Sequence, residues 1–266
     1  MELIEILKSL KLGKITVPQA KKMLSIYSIE QIEDFAKLDI GRKLRRGIPE
    51  VIFAEKKQLT EIKKIMIAAI NRSDSILMSR INKNDYKKIV LFSKKNKIKV
   101  KLGKNTTSVL FFKNNLYFSG GKVGILTAGT SDVGVAEEAR LMCEAMGCTC
   151  ISSYDVGIAG LHRVFPIMKK MIKEEVDAII VVAGMEGALA SIVSSLVDIP
   201  VIGVPSSVGY GYGEKGIAAL ASMLQSCTLG LSVVNIDNGI GAGAIAANIA
   251  NRTKKKVLRP KYSKIR

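Results

Sequence analysis

Several residue types are scarce in this sequence, and their scarcity excludes some classes of protein. The chain of 266 residues has no tryptophan, only 5% aromatic residues, and six prolines against 23 glycines. With 48% hydrophobic residues, it can still bury a core, which excludes an intrinsically disordered protein and a collagen-like repeat. At roughly 100 to 200 residues per domain, the length favours two domains.

Long hydrophobic runs are also missing. Residues 178–185 form one of the longest uncharged apolar stretches, far short of the roughly 18 residues that cross a bilayer. The chain begins with the acids Glu2 and Glu5, where a secretory signal has a basic flank. These features predict a cytoplasmic protein with no membrane partner.

Cysteine and histidine are too few for a typical zinc site. The cysteines are Cys143, Cys148, Cys150 and Cys227, and His162 is the only histidine. Cys148 and Cys150 are separated by one residue, which is not a zinc-ligand spacing, and two disulfides would add little to a chain of this length. The sequence therefore favours free thiols in a reducing compartment.

The charge is strongly positive but unevenly distributed. The formal net charge is +18, with 26 basic and 11 acidic residues in 1–120, 7 and 12 in 121–251, and 8 and none in 252–266. A nucleic-acid-binding protein needs a basic stripe on its folded surface, whereas these basic residues flank an acidic, glycine-rich half. We expect a catalytic module with basic flanks and no nucleic-acid partner.

Glycine usage marks a domain boundary, because 5 of the 23 glycines precede Gly121 and 18 lie from there on. We predict an N-terminal helical and α+β domain at 1–119, a catalytic domain at 120–252 and a basic tail at 253–266.

The first domain is predicted to be small and mixed. Helical apolar spacing recurs up to residue 26, and Ser28 with Gln31 has the capping-box pattern that starts a further helix. Farther along, apolar residues predict strands at 51–53 and 109–111 and a helix near 55–71.

The second half alternates short apolar runs with helical patterns. The runs are apolar throughout and rich in β-branched residues, as buried parallel strands are. They predict a doubly wound α/β parallel sheet, in which ligands gather beyond the carboxyl ends of the strands. The expected strands are 122–127, 148–153, 177–183, 200–204 and 231–236, and the expected helices are 131–146, 160–174, 186–198, 214–226 and 241–251.

The loops after the first two of these strands carry candidate substrate-binding and proton-transfer residues. Small residues in the first loop let backbone N–H groups approach a phosphate, although an ordinary capped turn explains them equally well. In the second loop a carboxylate, the histidine and an arginine suit anion binding and proton movement, or an ordinary surface role. The candidates are Gly129, Thr130, Ser131 and Asp132 in the first loop, and Asp155, His162 and Arg163 in the second.

The third loop places one carboxylate, Glu186, among Gly184, Met185 and Gly187. At the end of a buried strand this carboxylate would be partly desolvated, which suits a general base. A helix-start acid that interacts with the helix dipole accounts for it equally well.

The fourth loop and the segment after the next predicted helix supply the remaining candidates. Ser206, Ser207 and Tyr210 lie among alternating glycines and tyrosines, which suits either a cover for a ring-bearing ligand or a contact between subunits. Cys227 follows a predicted helix, and the helix dipole does not stabilise a thiolate at a helix C-terminus. Taken alone, the residues favour an inert cysteine.

Four segments of residues 122–205 form a recognisable set: Ser131-Asp132, the segment around His162, Ala183-Gly184 and residues 200–205. Together they resemble the aminoimidazole ribonucleotide carboxylase and mutase family of the purine pathway. That family has a histidine in the loop where this chain has Glu186, and it lacks the preceding 120 residues. The resemblance implies a flavodoxin-like three-layer fold.

A more extensive set of motifs covers nearly the whole chain. The motifs are, in order, 38–51, 127–132, 155–157, 184–187, 204–211, 226–227 and 234–239. Together they resemble the LarB family, the pyridinium-3,5-biscarboxylic acid mononucleotide synthases of nickel-pincer cofactor synthesis. The resemblance implies that carbon dioxide or bicarbonate carboxylates the pyridinium ring of nicotinic acid adenine dinucleotide, and that the pyrophosphate is hydrolysed to release AMP.

This second resemblance implies a role for each candidate residue. The Cys227 thiolate would add to the electron-poor ring, and Glu186 would remove the ring proton. Asp155 and His162 would assist proton movement, and Ser131 and Asp132 would hold the ribose phosphate. Ser206 and Tyr210 would line the ring. Arg42 and Arg45 would contact the adenylate end of the substrate.

The same resemblance implies Mg²⁺ bound to the substrate pyrophosphate and a homo-oligomer, an octamer by analogy. Two other functions remain compatible with the sequence. One is the purine-pathway carboxylase or mutase reaction, which needs no thiol. The other is a non-catalytic nucleotide-binding regulator.

Overall fold

The computed structural model describes residues 3–32, 34 and 36–257. The chain divides into two compact units, Met1–Val100 with Leu110–Asn115 and Lys101–Val109 with Leu116–Arg266. Of the basic segment expected at 253–266, residues 258–266 lie outside the described residues. None of the helices in the described ranges is long and apolar enough to cross a membrane.

The first unit combines helices with two small sheets. Strands β1 and β2 form an antiparallel pair, and the other four strands form a sheet in the order β3-β4-β6-β5, with β3 and β4 parallel. Helix α4 turns its apolar face inward, and strand β4 is buried along its whole length. The elements are α1 Leu3–Lys11, α2 Val17–Leu24, β1 Ile29–Ile32, β2 Ala36–Asp39, α3 Arg42–Arg46, β3 Val51–Phe53, α4 Leu59–Arg72, β4 Ser75–Ser79, α5 Lys83–Lys95, β5 Lys99–Leu102 and β6 Val109–Phe112.

The structure corrects one prediction in this unit. The helix expected from Ser28 and Gln31 is wrong, because the residues after Ser28 form β1 and pair with β2. The pairing buries Ile32 and Leu38, and this burial outweighs the local capping pattern. The strands expected at 51–53 and 109–111 and the helix near 55–71 are confirmed.

The second unit is built around a five-stranded parallel sheet in the order β11-β10-β9-β7-β8. This flavodoxin-like order reverses between β7 and β9, which is where such sheets bind ligands. All six residues of β9 are buried. The elements are β7 Lys122–Thr127, α6 Val133–Ala145, β8 Thr149–Ser153, α7 Val164–Lys173, β9 Ala178–Ala183, α8 Ala188–Leu196, β10 Val201–Pro205, α9 Ile217–Leu224, β11 Leu231–Val233 and α10 Gly239–Val257.

The doubly wound sheet is therefore confirmed, with small differences at the element boundaries. The last strand ends at Val233 instead of Ile236. Helix α7 begins later than expected because Gly160 has a non-helical backbone, and α9 begins after left-handed residues at Lys215 and Gly216.

Candidate functional site

A cleft of about 270 Å³ lies at the carboxyl edge of the parallel sheet. It is formed by the loops after β7, β8 and β9, the start of α8, and one residue of the loop after β10. Its position matches the point at which the strand order reverses. The lining residues are Ala128, Gly129, Ser131, Asp132, Gly157, Ile158, Ala159, Ala183, Gly184, Met185, Glu186, Ala188, Leu189 and Val208.

Asp132 joins two of these loops from a buried position, being only 3% exposed. Its carboxylate accepts hydrogen bonds from the Gly129 backbone N–H at 2.8 Å and from the Ser206 hydroxyl at 2.6 Å. The Ser206 oxygen in turn accepts a hydrogen bond from the Val208 N–H at 3.1 Å. Asp132 and Ser206 therefore hold the loops after β7 and β10 together at the floor of the cleft.

The environment of Asp132 disfavours its charged form. Burial raises the pKa of this carboxyl above its ordinary value, the hydrogen bonds from Ser206 and Gly129 partly oppose that increase, and the nearby charge of Asp237 adds to it. Asp237 itself accepts a hydrogen bond from the Ser207 N–H at 2.8 Å. The sequence motif 234–239 contains Asp237, but spacing alone did not indicate that this carboxylate lies near Asp132.

A carboxyl whose pKa is raised on folding lowers stability at neutral pH, because the folded state binds the proton more tightly than the unfolded state. Asp132→Asn removes the charge together with one of the two acceptor oxygens, so we expect the melting temperature of the variant, relative to wild type, to be more favourable at pH 7 than at pH 4. Calorimetry of both proteins at the two pH values checks this. A variant that loses more stability at pH 7 than at pH 4 would contradict the assignment.

The loop after β8 carries three candidates on its exposed side. The backbone of Asp155 is left-handed, with φ of 59°, and its N–H donates to the Thr127 hydroxyl at 3.1 Å. The Arg163 guanidinium lies 3.3 Å from the Asp155 carboxylate, so the two charges pair with each other. Asp155, His162 and Arg163 do not line the cleft of a single chain, although Gly157 between them does.

The loop after β9 places Glu186 at the cleft with its side chain exposed. The partial desolvation expected from the sequence is therefore wrong. Left-handed conformations at Met185 and Gly187 turn this loop outward from the buried strand. A side chain at Gly184 would collide with the Val208 carbonyl oxygen, so this position fixes the close approach of the two loops.

The loop after β10 places its three candidate site residues in different environments. Ser206 is buried beside Asp132, whereas Ser207 and Tyr210 are exposed, Tyr210 to 82%. Neither Ser207 nor Tyr210 lines the cleft, and neither does the exposed Thr130 of the first loop.

Cys227 is exposed and lies outside the cleft of its own chain. It belongs to the segment between α9 and β11, at the amino side of the sheet. The Ser191 hydroxyl of α8 donates to the Ser226 hydroxyl at 2.8 Å, which ties this segment to α8. One chain thus brings Glu186 and Asp132 together, but not Glu186 and Cys227.

Arg42 and Arg45 have partners within the first unit. Arg45 forms a bidentate ion pair with Asp39 and donates a hydrogen bond to the Ser25 carbonyl at 2.7 Å. Its hydrogen bonds lower the pKa of Asp39 against the opposing effect of burial. Arg42 lies 3.4 Å from Glu50. Both guanidinium groups stabilise the local fold, and Arg42 is the more exposed of the two.

Within residues 3–32, 34 and 36–257, no three His, Cys, Asp or Glu side chains are grouped so that they would hold a metal ion. The described residues therefore do not fit a protein-held magnesium ion.

The five-stranded parallel sheet with a cleft at its switch point defines a flavodoxin-like α/β protein. A family model described as AIR carboxylase matches residues 122–266, and one described as LarB/PurE-like N-terminal domain matches residues 29–100. The chain belongs to the AIR carboxylase family and has the domain architecture of LarB proteins.

Similar proteins of known sequence fall into two groups. An uncharacterized protein of Methanocaldococcus jannaschii is 45% identical, over 92% of this chain and 96% of its own length. N5-carboxyaminoimidazole ribonucleotide mutases of Thermotoga maritima and Pyrococcus horikoshii are 29% and 31% identical, each over 48% of this chain and over 74% and 71% of their own lengths.

Proposed function

We propose that the protein carboxylates the pyridinium ring of nicotinic acid adenine dinucleotide with carbon dioxide or bicarbonate, and hydrolyses the phosphoanhydride to release AMP. The product, pyridinium-3,5-biscarboxylic acid mononucleotide, would enter nickel-pincer cofactor synthesis. The observation that carries the proposal is the joining of a LarB/PurE-like N-terminal domain to an AIR carboxylase domain in one chain. The cleft at the carboxyl edge of the sheet supports it.

The chemistry needs a nucleophile because a pyridinium ring is too electron-poor to attack carbon dioxide. A thiolate that adds to the ring carbon opposite the nitrogen converts the ring to an enamine, which does attack. Cys227 is the only exposed cysteine among the described residues. The positive charge of the ring favours the thiolate form of a thiol beside it.

Glu186 is the proposed base that takes the ring proton after carboxylation. It lines the cleft and is exposed, so the proton can pass to water. Met185 and Val208 provide apolar contact area beside it for the flat ring.

The polar side of the cleft suits the ribose phosphate. Ser131 lines the cleft at the turn that leads into α6, where the helix dipole attracts negative charge. Asp132 and Ser206 hold this turn in place and are positioning residues in the proposal. Asp155 and His162, which lie outside the single-chain cleft, remain candidates for proton movement. Magnesium would accompany the substrate as a counterion of its pyrophosphate.

A second candidate function is the purine-pathway carboxylase or mutase reaction. It is favoured by the mutases that match this chain over 48% of its length. Glu186 stands where the resembling family has a histidine, and the mutase reaction has no use for an exposed thiol. We therefore place this function second.

The experiment that separates the two uses purified protein and carbon-13 bicarbonate. With nicotinic acid adenine dinucleotide, mass spectrometry is expected to show AMP and a labelled dicarboxylated mononucleotide. N5-carboxyaminoimidazole ribonucleotide, the substrate of the alternative, is expected to remain unchanged. Binding of the dinucleotide without any gain of label would contradict the proposal and favour a regulatory protein.

The role of Glu186 predicts a specific defect. Glu186→Gln is expected to lower product formation about 10²- to 10⁴-fold, the usual contribution of a general base, while the cysteine adduct of the ring still forms. Intact-protein mass spectrometry after rapid quenching detects the adduct. Glu214→Gln, at an exposed carboxylate outside the cleft, is the matched control and should retain activity. A fully active Glu186→Gln enzyme would overturn the base assignment.

A further inference from the structure

We propose that Asp237, which follows β11, is a positioning residue for the base Glu186 and acts through the turn formed by residues 206–208. The inference rests on the proposed function, in which Glu186 removes the ring proton. It adds a residue that does not line the cleft. Two hydrogen bonds and the short turn between them connect this residue to the loop that carries the base.

Asp237 holds the end of β10 at two points. Its backbone N–H donates to the Pro205 carbonyl at 2.9 Å, and its carboxylate accepts a hydrogen bond from the Ser207 N–H at 2.8 Å. The backbone of Asp237 is left-handed, with φ of 54°, a conformation that Asp and Asn adopt more readily than most other residues with a side chain. Asp237 therefore combines a special backbone conformation with a short side chain that carries an acceptor.

The 206–208 turn is held from its inner side as well. The Ser206 N–H donates to the Ala183 carbonyl at 2.9 Å, and the Ser206 hydroxyl donates to Asp132 at 2.6 Å. These two contacts fix Ser206, the buried first residue of the turn. Ser207 is the exposed middle residue, and the partner of its N–H is Asp237. The outer side of the turn thus depends on the Asp237 carboxylate.

The turn in turn supports the loop after β9. The Val208 carbonyl accepts a hydrogen bond from the Met185 N–H at 3.0 Å. A Cβ atom at Gly184 would lie only 2.0 Å from the same carbonyl oxygen, so the two loops are in close contact. Left-handed residues, Met185 and Gly187, stand on both sides of Glu186 and set the direction of its side chain. A shift of the Val208 carbonyl would therefore move the Glu186 carboxylate.

Proton removal is the step that such a shift would slow. Glu186 takes the proton from the newly carboxylated ring carbon, and the C–H electron pair forms the ring double bond. The C–S bond to Cys227 breaks at the same time, and its pair leaves with the sulfur as aromaticity returns. A base must lie within hydrogen-bond reach of the proton that it takes, and a misplacement of about 1 Å can cost about 10²-fold in rate. Binding of the dinucleotide does not use Glu186.

The test uses Asp237→Gly in the full chain, because glycine keeps the left-handed backbone while the carboxylate is lost. With nicotinic acid adenine dinucleotide, kcat is expected to fall about 10- to 100-fold, while KM changes little. The second readout is the rate with dinucleotide deuterated at the ring carbon that is carboxylated. The deuterium isotope effect on kcat should be larger than in wild type, because proton removal has become slower relative to the other steps.

Two further variants separate the hydrogen bond from other effects. Asp237→Asn keeps an oxygen that accepts the Ser207 N–H and a residue type that adopts the left-handed backbone. It is expected to retain kcat within a few-fold of wild type and the wild-type isotope effect. Glu175→Gly is the matched control, since Glu175 is also an exposed acid at a left-handed position, with φ of 53°. It precedes β9, at the opposite edge of the sheet, and its replacement should change neither quantity.

Several results would overturn the inference. One is wild-type kcat in Asp237→Gly, and another is a lower kcat with an unchanged isotope effect, which would mark a purely structural role. An Asp237→Asn enzyme as impaired as Asp237→Gly, or the same defect in Glu175→Gly, would also overturn it. Wild-type protein that does not carboxylate the dinucleotide would instead overturn the proposed function, so the two failures are distinguishable.

Discussion

Replacing Cys227 by serine is expected to lower formation of the carboxylated mononucleotide about 10⁴-fold or more, which is the scale on which loss of a covalent nucleophile acts. A serine hydroxyl has nearly the same size but is not ionised at neutral pH, so the ring would not be converted to an enamine. Chromatography with mass spectrometry measures the product. The intact mass of the variant should also show no adduct when the reaction is quenched early.

Cys150→Ser is the matched control for this prediction. Cys150 is partly buried and its thiol contacts the Arg140 carbonyl at 3.8 Å, and it lies outside the cleft. The same chemical change at this position should leave the rate within a few-fold of wild type. Equal rates for Cys227→Ser and wild type would remove the thiol mechanism altogether.

The fold could be predicted from the sequence where burial acts on long, regular patterns. Residues 178–183 are apolar throughout because they form the central strand of the parallel sheet, buried on both faces. The segment after Ser28 could not be predicted in the same way. Its local pattern favours a helix, and only the pairing of β1 with a strand farther along the chain makes it extended.

The candidate site was predictable in its position but not in its internal geometry. Loops that follow parallel strands meet at one edge, so Gly129, Asp132 and Glu186 were expected near each other, and all three line the cleft. Asp132 is buried beside Ser206, and Glu186 is exposed by the turn at Met185. Both environments depend on tertiary structure, which the sequence pattern does not indicate. Cys227 shows the limit of motifs taken alone. Its place between a predicted helix and a predicted strand assigns it to the edge of the sheet opposite Glu186, which the motifs by themselves do not indicate.

Asp132 also shows how a site residue is distinguished from a structural one. A buried carboxyl whose pKa burial raises is a cost to folding at neutral pH, and a perturbed carboxyl in a cleft is a frequent sign of function. Arg45 is the opposite case. Its guanidinium forms a bidentate ion pair with Asp39 and donates a hydrogen bond to the Ser25 carbonyl. These partners within the fold explain the partly buried position of its charge without a ligand.

Glu137 on α6 is a buried acid of the second unit, only 2% exposed. Its carboxylate accepts hydrogen bonds from the Arg140 guanidinium at 2.8 and 2.9 Å, from the Tyr154 hydroxyl, and from the Lys104 N–H at 2.9 Å. Burial alone would raise the pKa of Glu137, but these hydrogen bonds outweigh it and lower the pKa below its ordinary value. The network fixes Tyr154, which directly precedes the Asp155 loop.

Glu137→Gln is therefore expected to lower the free energy of unfolding of this unit by about 3 kcal/mol at pH 7. The amide keeps only one acceptor oxygen, so the variant loses the charge that pairs with Arg140, one of the Arg140 hydrogen bonds, and the hydrogen bond from either Tyr154 or the Lys104 N–H. For a unit of this size this loss of stability corresponds to a fall in melting temperature of about 10 °C.

Because the pKa of Glu137 is lowered on folding, its stabilisation is present above the ordinary carboxyl pKa near 4.3 and is lost as the pH falls below that value. Calorimetry should thus show the difference between variant and wild type shrinking in acid. Glu174→Gln, at a glutamate that is 47% exposed and pairs with Lys122, should change stability by no more than about 0.5 kcal/mol. Equal losses at the two positions would show that the Glu137 network does not stabilise the fold.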